Sequence, residues 1–154
     1  ANCMLRNAER AFRVYKANLP ARFNDLAEIR KIEPYVYSQT TSSRFSQREG
    51  MSHIPWLTGS AGWSYFAPTQ YLLGIRPEAG GLRIDPCIPA AWPGFRATRI
   101  FRGARVAITV NNPNGNNCGV SSLIVNGTRI EGNLIPLSAL THETTVVCAL
   151  EESQ

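Results

Sequence analysis

The chain has 154 residues, 44% of them apolar and 18% charged, with a formal net charge of +5. That length predicts one domain or two small ones with a packed core, and no apolar run approaches the ~20 residues that a membrane-spanning helix needs. The positive balance comes from 14 arginines and two lysines, scattered without a run of like charge, which speaks against a nucleic-acid partner. Arginine suits carboxylate, phosphate and sugar contacts of fixed geometry; the plainer reading is a solvated basic surface. Cys3, Cys87, Cys118 and Cys148 are far apart, with no CxxC pair and no histidine nearby, which predicts neither a zinc site nor a disulfide framework. No charged-then-apolar leader is evident, and a reducing cytoplasmic setting is the expectation. The start at Ala1, inside an element, raises the expectation of a fragment or a trimmed polypeptide.

In chain order, residues 3–17 predict an amphipathic helix, with Leu5, Ala8, Phe12 and Tyr15 recurring every three or four positions. Asn18-Leu19-Pro20 stops it. A short helix is expected around Asp25–Lys31, then extended backbone from Pro34 to Gln39, since a residue before proline avoids the helical region. Thr40–Pro55 reads as a long polar loop. Loops of that length in compact proteins are usually functional or disordered.

The stretch Trp56–Gly74 is the densest in information. Leu57-Thr58-Gly59-Ser60 is a small-residue turn in which Thr58 or Ser60 can accept the free N–H groups of a helix start. The apolar run behind it predicts a helix over 58–73, kinked at Pro68 and ended by Gly74. A helix start that offers N–H groups, a hydroxyl and a glycine is a natural anion site; the alternative is a buried helix with an ordinary cap.

From about Ile75 the pattern becomes alternating. Leu82–Pro86, Thr98–Arg102, Arg105–Val110, Leu123–Val125, Thr128–Ile130, Leu134–Leu137 and Thr144–Leu150 read as strands. Asn126-Gly127 is a strong hairpin turn. Six or seven short strands predict an antiparallel sandwich. The fold class expected is therefore α+β, in two domains, 1–75 helical and 76–154 all-β. Trp56, Trp63, Phe66 and Tyr71 need apolar partners that two helices cannot supply, so further helices upstream in a longer parent chain are expected.

No GxSxG, HExxH, P-loop or dinucleotide fingerprint occurs. His53 and His142 are lone histidines. Glu33 and Asp85 sit in structured settings but read as backbone-bonding residues, and no glycosidase-like acid pair can be chosen. No catalytic residue and no metal ligand is assigned.

Five segments in one order carry a resemblance: Glu33–Gln39 (EPYVYSQ), Trp56–Trp63 (WLTGSAGW), Leu73–Pro77 (LGIRP), Gly81–Pro89 (GLRIDPCIP) and Phe101–Gly103 (FRG). Together, over about Ala8–Val110, they resemble the C-terminal end of the glycoside hydrolase family 94 phosphorylases, which include cellobiose, cellobionic acid, cellodextrin and chitobiose phosphorylases. The resemblance implies that residues 1–75 are the last part of an (α/α)6 barrel, followed by a C-terminal β-sandwich. It implies cleavage of a β-glucosidic bond by inorganic phosphate, with inversion, to give an α-sugar 1-phosphate. Phosphate is then a substrate and no cofactor is required. It maps phosphate binding onto Thr58 and Gly59, and sugar binding in the donor subsite onto Gln39. The family's general acid and its phosphate-binding Arg and His lie upstream of the matched stretch, so the chain by itself is expected to be inactive and its first partner is the upstream part of the same parent chain. The competing readings are a carbohydrate-binding β-module, with Trp92 and Phe95 as stacking platforms, and a structural piece serving a homodimer.

Overall fold

The structure of the protein, a computed structural model, describes residues 1–150. The last four residues of the expected second domain lie outside that range. Residues 1–12 with 68–150 form one compact unit, and residues 13–67 form another.

Helix α1, Ala8–Ala17, starts five residues later than its apolar periodicity suggests. Asn7 is the reason. Its side-chain oxygen accepts the Arg10 N–H at 3.1 Å and its carbonyl accepts the Ala11 N–H at 3.0 Å, an asparagine cap that makes the preceding residues turns. After Leu19, a 3-10 helix, Pro20–Leu26, leads into α2, Ala27–Arg30. Lys31 in the left-handed region (φ 55°) closes α2 by donating its N–H to the Ala27 carbonyl.

The segment expected as a long loop is largely a hairpin. Strands β1, Ser38–Thr41, and β2, Ser52–Pro55, pair antiparallel with Ser38 opposite Pro55 and Thr40 opposite His53. The Ser42 N–H continues the ladder onto the Met51 carbonyl at 2.8 Å. SQTT is polar on both faces, and three of its four residues are exposed, so there was no alternation to read.

Helix α3, Ser60–Ala67, is also shorter than expected. Pro68 has no N–H to offer the carbonyl four residues back. The chain widens into a π turn, Pro68–Leu72, in which the Leu73 N–H reaches the Pro68 carbonyl at 2.7 Å. Gly74, at φ +68°, ends it.

Eight strands follow: β3, Ile75–Glu78; β4, Gly81–Ile84; β5, Gly94–Phe101; β6, Ala104–Asn111; β7, Val120–Val125; β8, Thr128–Ile130; β9, Leu134–Pro136; and β10, Glu143–Leu150. They make a five-stranded sheet in the order β5-β6-β10-β7-β8 and a three-stranded sheet β3-β4-β9. Both contribute to one core: Leu82, Ile84 and Ile135 from the small sheet, Val106, Ile108, Leu123, Val125 and Val146 from the large one. Each such aliphatic side chain contributes about 1.5–3 kcal/mol by leaving water. The α+β class and the β-rich C-terminal part are as expected. One pairing corrects the all-antiparallel expectation: β10 runs parallel to β6, with Val106 beside Thr144, Ile108 beside Val146 and Val110 beside Cys148.

The loop after β6 is held by Asn112, which is 2% exposed. Its amide donates to the carbonyls of Trp92 (2.8 Å) and Asn116 (2.9 Å), and its oxygen accepts the Asn116 N–H at 2.7 Å. Asn112→Ala would leave three polar groups buried without these partners and is expected to lower stability by roughly 2–4 kcal/mol in a denaturant titration. Trp92 and Phe95 are half-buried against the core, and Trp92 meets Phe12 edge-to-face at 5.1 Å.

Candidate functional site

The site is built on the β1–β2 hairpin and the entry to α3. Glu33 accepts the Trp56 indole N–H at 3.4 Å, and the Tyr35 and Trp56 rings meet edge-to-face at 6.0 Å. These contacts tie the EPYVYSQ segment to the WLTGSAGW segment. Sequence order alone did not join them, and Glu33 was expected to bond backbone.

Between β2 and α3 the backbone is strained. Ile54 (φ 52°) and Trp56 (φ 71°) both lie in the left-handed region. For a β-branched residue such as Ile54 that is a real outlier, and strain of this kind costs about 1–3 kcal/mol and gathers at binding sites. Nothing in the sequence signalled it, since neither residue is Gly, Asn or Asp.

At the helix entry the Gly59 carbonyl accepts the Trp63 N–H at 3.1 Å, which makes Gly59 the cap residue. The Thr58 hydroxyl oxygen accepts the Ser60 N–H at 3.1 Å and donates to the Ser60 hydroxyl at 2.9 Å. Thr58 is half-buried, while Gly59 and Ser60 are exposed. A Cβ on Gly59 would meet nothing nearer than Trp63 Cδ1 at 3.9 Å, and one on Gly62 nothing within 4 Å. Neither glycine is demanded by packing inside the chain. Gly59 directly precedes the start of α3, and N–H groups and the helix dipole at such a start favour an anion by about 0.3–2 kcal/mol.

Gln39 is exposed on β1. The register sets it one residue in from the Ser38–Pro55 end of the ladder, the end from which the chain leaves toward Thr58. The three residues singled out in the sequence thus belong to one hairpin and the helix entry that follows it. His53, the other candidate, bonds the Ser42 hydroxyl through Nε2 at 2.9 Å, a link inside the hairpin. Asp85 accepts from Arg6 at 2.8 Å and Arg76 at 3.2 Å, binding guanidinium groups where backbone partners were expected. Among the described residues no group of three His, Cys, Asp or Glu side chains could hold a metal ion, and no helix is long and apolar enough to cross a membrane.

A β-sandwich joined to a helical segment with an anion-type helix entry is the class these features define. Residues 1–74 match the glycosyl hydrolase 94 superfamily catalytic domain, and residues 75–116 the glycosyl hydrolase family 65 C-terminal domain. Together these matches fit a C-terminal portion of a glycoside hydrolase family 94 phosphorylase. It is 42% identical to an N,N'-diacetylchitobiose phosphorylase of Vibrio furnissii over 96% of this chain and 18% of that protein. It is 33% identical to a solabiose phosphorylase of Paenibacillus borealis, over 95% of this chain and 19% of that protein. A cellobionic acid phosphorylase of Neurospora crassa is 28% identical over 69% of this chain and 14% of that protein. The chain therefore spans less than a fifth of the length of these relatives.

Proposed function

We propose that this chain supplies part of the phosphate and donor-sugar site of an inverting disaccharide phosphorylase. The Thr58–Gly59 entry to α3 is the observation that carries the reading: a helix start with a hydroxyl, free space and a strained approach, in a chain whose relatives are named as phosphorylases. Phosphate sits in front of Gly59, held by the N–H groups of the first turn and by the Thr58 hydroxyl turned from Ser60 toward a phosphate oxygen. Gln39 hydrogen-bonds the donor sugar. Phosphate attacks the anomeric carbon from the face opposite the leaving oxygen, and the configuration inverts. Phosphate is already anionic, so only one carboxylic acid is needed, to protonate the leaving oxygen. That acid comes from another part of the parent protein, as do the remaining phosphate ligands. No cofactor takes part.

The substrate is a β-linked disaccharide whose donor is glucose or its 2-acetamido derivative, and the product is the matching α-sugar 1-phosphate. Residues 1–75 form the end of an (α/α)6 barrel, and the exposed rings of Trp56 and Trp63 (63% and 70% exposed) pack on the rest of it. A homodimer of the parent is the expected assembly.

The test is phosphorolysis by the full-length protein of diacetylchitobiose, cellobiose and cellobionic acid, with products read by phosphorus NMR. An α-sugar 1-phosphate formed from one of them, only with phosphate present, is the expected result. Release of two free sugars without phosphate would overturn it, and so would binding of all three without turnover.

A further inference from the structure

Three of the four cysteines, at positions 3, 87 and 118, come together in the unit that holds the sandwich. They make a second small cluster with Ala8, apart from the main core. Cys87 and Cys118 face each other across an isolated antiparallel bridge between the segment after β4 and the segment before β7. The Ile88 N–H bonds the Asn117 carbonyl at 2.9 Å, one residue outside that pair. This makes Cys87 and Cys118 the closely spaced kind of antiparallel partner, with Cα atoms about 4.5 Å apart. Disulfides span Cα separations of about 4.4–6.8 Å, so the backbone is already in range.

The third thiol lies on the open side. Cys3 is half-exposed, whereas Cys87 and Cys118 are 1% and 6% exposed. Cys3 and Cys87 line a cavity of about 210 Å³ whose other walls include Arg6, Arg76 and Asp85. Both guanidinium groups pair with the one Asp85 carboxylate, so the wall keeps a net positive charge. All four thiols are reduced in the structure.

We propose that Cys3, Cys87 and Cys118 form a thiol relay that a small anionic disulfide of the glutathione type oxidises to a Cys87–Cys118 disulfide. The Cys3 thiolate attacks one sulfur of the small disulfide, forming a mixed disulfide and expelling one small thiolate. Cys87 passes its proton to the Cys118 sulfur, attacks the Cys3 sulfur and expels the second small thiolate. Cys118 releases that proton to solvent, attacks the Cys87 sulfur and returns Cys3 to its thiolate. Two protein thiols are oxidised, and one small disulfide is reduced to two thiols. The positive cavity wall matches the carboxylates of such a reagent.

The electrostatics favour Cys3 as the first nucleophile and Cys118 as the last. A hydrogen bond from the Cys87 thiol lowers the Cys3 pKa to about 7 against the opposing effect of burial. The same thiol, with help from Arg6, lowers Cys118 to about 7. Cys87, donor to both, is pushed up; it holds a single S–H, so it supports one thiolate at a time, and its own attack requires that proton to pass to the Cys118 sulfur. Cys148 is outside the cluster, and burial pushes it up to about 12, which makes it inert to the same reagent at neutral pH.

The test is peptide mapping of the protein after incubation with oxidised glutathione at neutral pH, since Arg6, Arg83, Arg96, Arg105 and Arg129 place the four cysteines on separate tryptic peptides. A linked pair of peptides containing Cys87 and Cys118, with Cys148 free, is expected. Cys3→Ser, at a half-exposed position, should slow formation of that link on the order of tenfold or more, because the remaining thiols are buried. Cys118→Ser should stop the reaction at a Cys3–Cys87 link. Glutathione adducts without an internal link, a link through Cys148, or no oxidation at all would overturn the proposal, as would an unchanged rate in Cys3→Ser.

Discussion

Replacing Thr58 by valine is expected to lower kcat/KM for phosphate on the order of 10²-fold in the full-length protein, the scale found when one preorganised donor to an oxyanion is lost. Valine keeps the shape of threonine and removes only the hydroxyl. That oxygen accepts the Ser60 N–H and donates to the Ser60 hydroxyl. Its loss takes one donor from the anion site and frees the first N–H of α3 to reorient. Ser60 is exposed, so water can satisfy the freed N–H, and the stability change should stay near 0.5–1 kcal/mol, the scale of a lost cap. Gly59→Ala makes the companion test. Its methyl group would find open space in the folded chain, yet it would stand where phosphate approaches. Both variants should raise the KM for phosphate much more than the KM for the disaccharide. If Thr58→Val left phosphate kinetics unchanged and only lowered the melting temperature, Thr58 would be a helix cap and nothing more.

The second large effect is on folding. Gly74→Ala is expected to cost at least ~3 kcal/mol, measured by denaturant titration. Gly74 sits at φ +68° where the π turn meets β3, and a Cβ there would lie 2.0 Å from the Asp85 carbonyl oxygen and 2.4 Å from the Pro86 nitrogen. These are backbone atoms that cannot swing aside. The Asp85 N–H also bonds the Gly74 carbonyl at 2.8 Å, and its carboxylate holds Arg6 and Arg76, so a shift there would disturb both ion pairs. Gly103→Ala is the control. It has a similar φ of +84°, but a Cβ would meet nothing within 4 Å, so it should show only the left-handed strain of about 1 kcal/mol. Equal losses in the two variants would mean that the backbone contact at Asp85 is not what makes Gly74 necessary.

Most of the sandwich was legible before the structure because its information is local. The β5–β6 and β7–β8 hairpins turn at Gly103 and Asn126-Gly127, and the apolar positions of β6 and β10 alternate into the core as their spacing requires. The candidate residues Thr58, Gly59 and Gln39 were singled out for another reason: they stand in ordered motifs, and a helix-start turn has its own residue chemistry. The β1–β2 hairpin was hidden by the opposite circumstance. SQTT has no apolar face, and its pairing depends on the partner strand.

Local pattern therefore set the face each strand buries, the turns, and the start of α3, because those depend on side-chain period and on backbone preferences within a few residues. Three things were left to tertiary structure. Strand β10 enters between β6 and β7, and whether it lies parallel or antiparallel to a neighbour is not encoded in its own alternation. The left-handed Ile54 and Trp56 hold conformations their own side chains disfavour, which only surrounding contacts such as the Glu33–Trp56 bond can maintain. And Cys3, Cys87 and Cys118, apart in sequence by up to three-quarters of the chain, meet because the closing sandwich sets residues 87 and 118 across one bridge and packs the turns before α1 beside them.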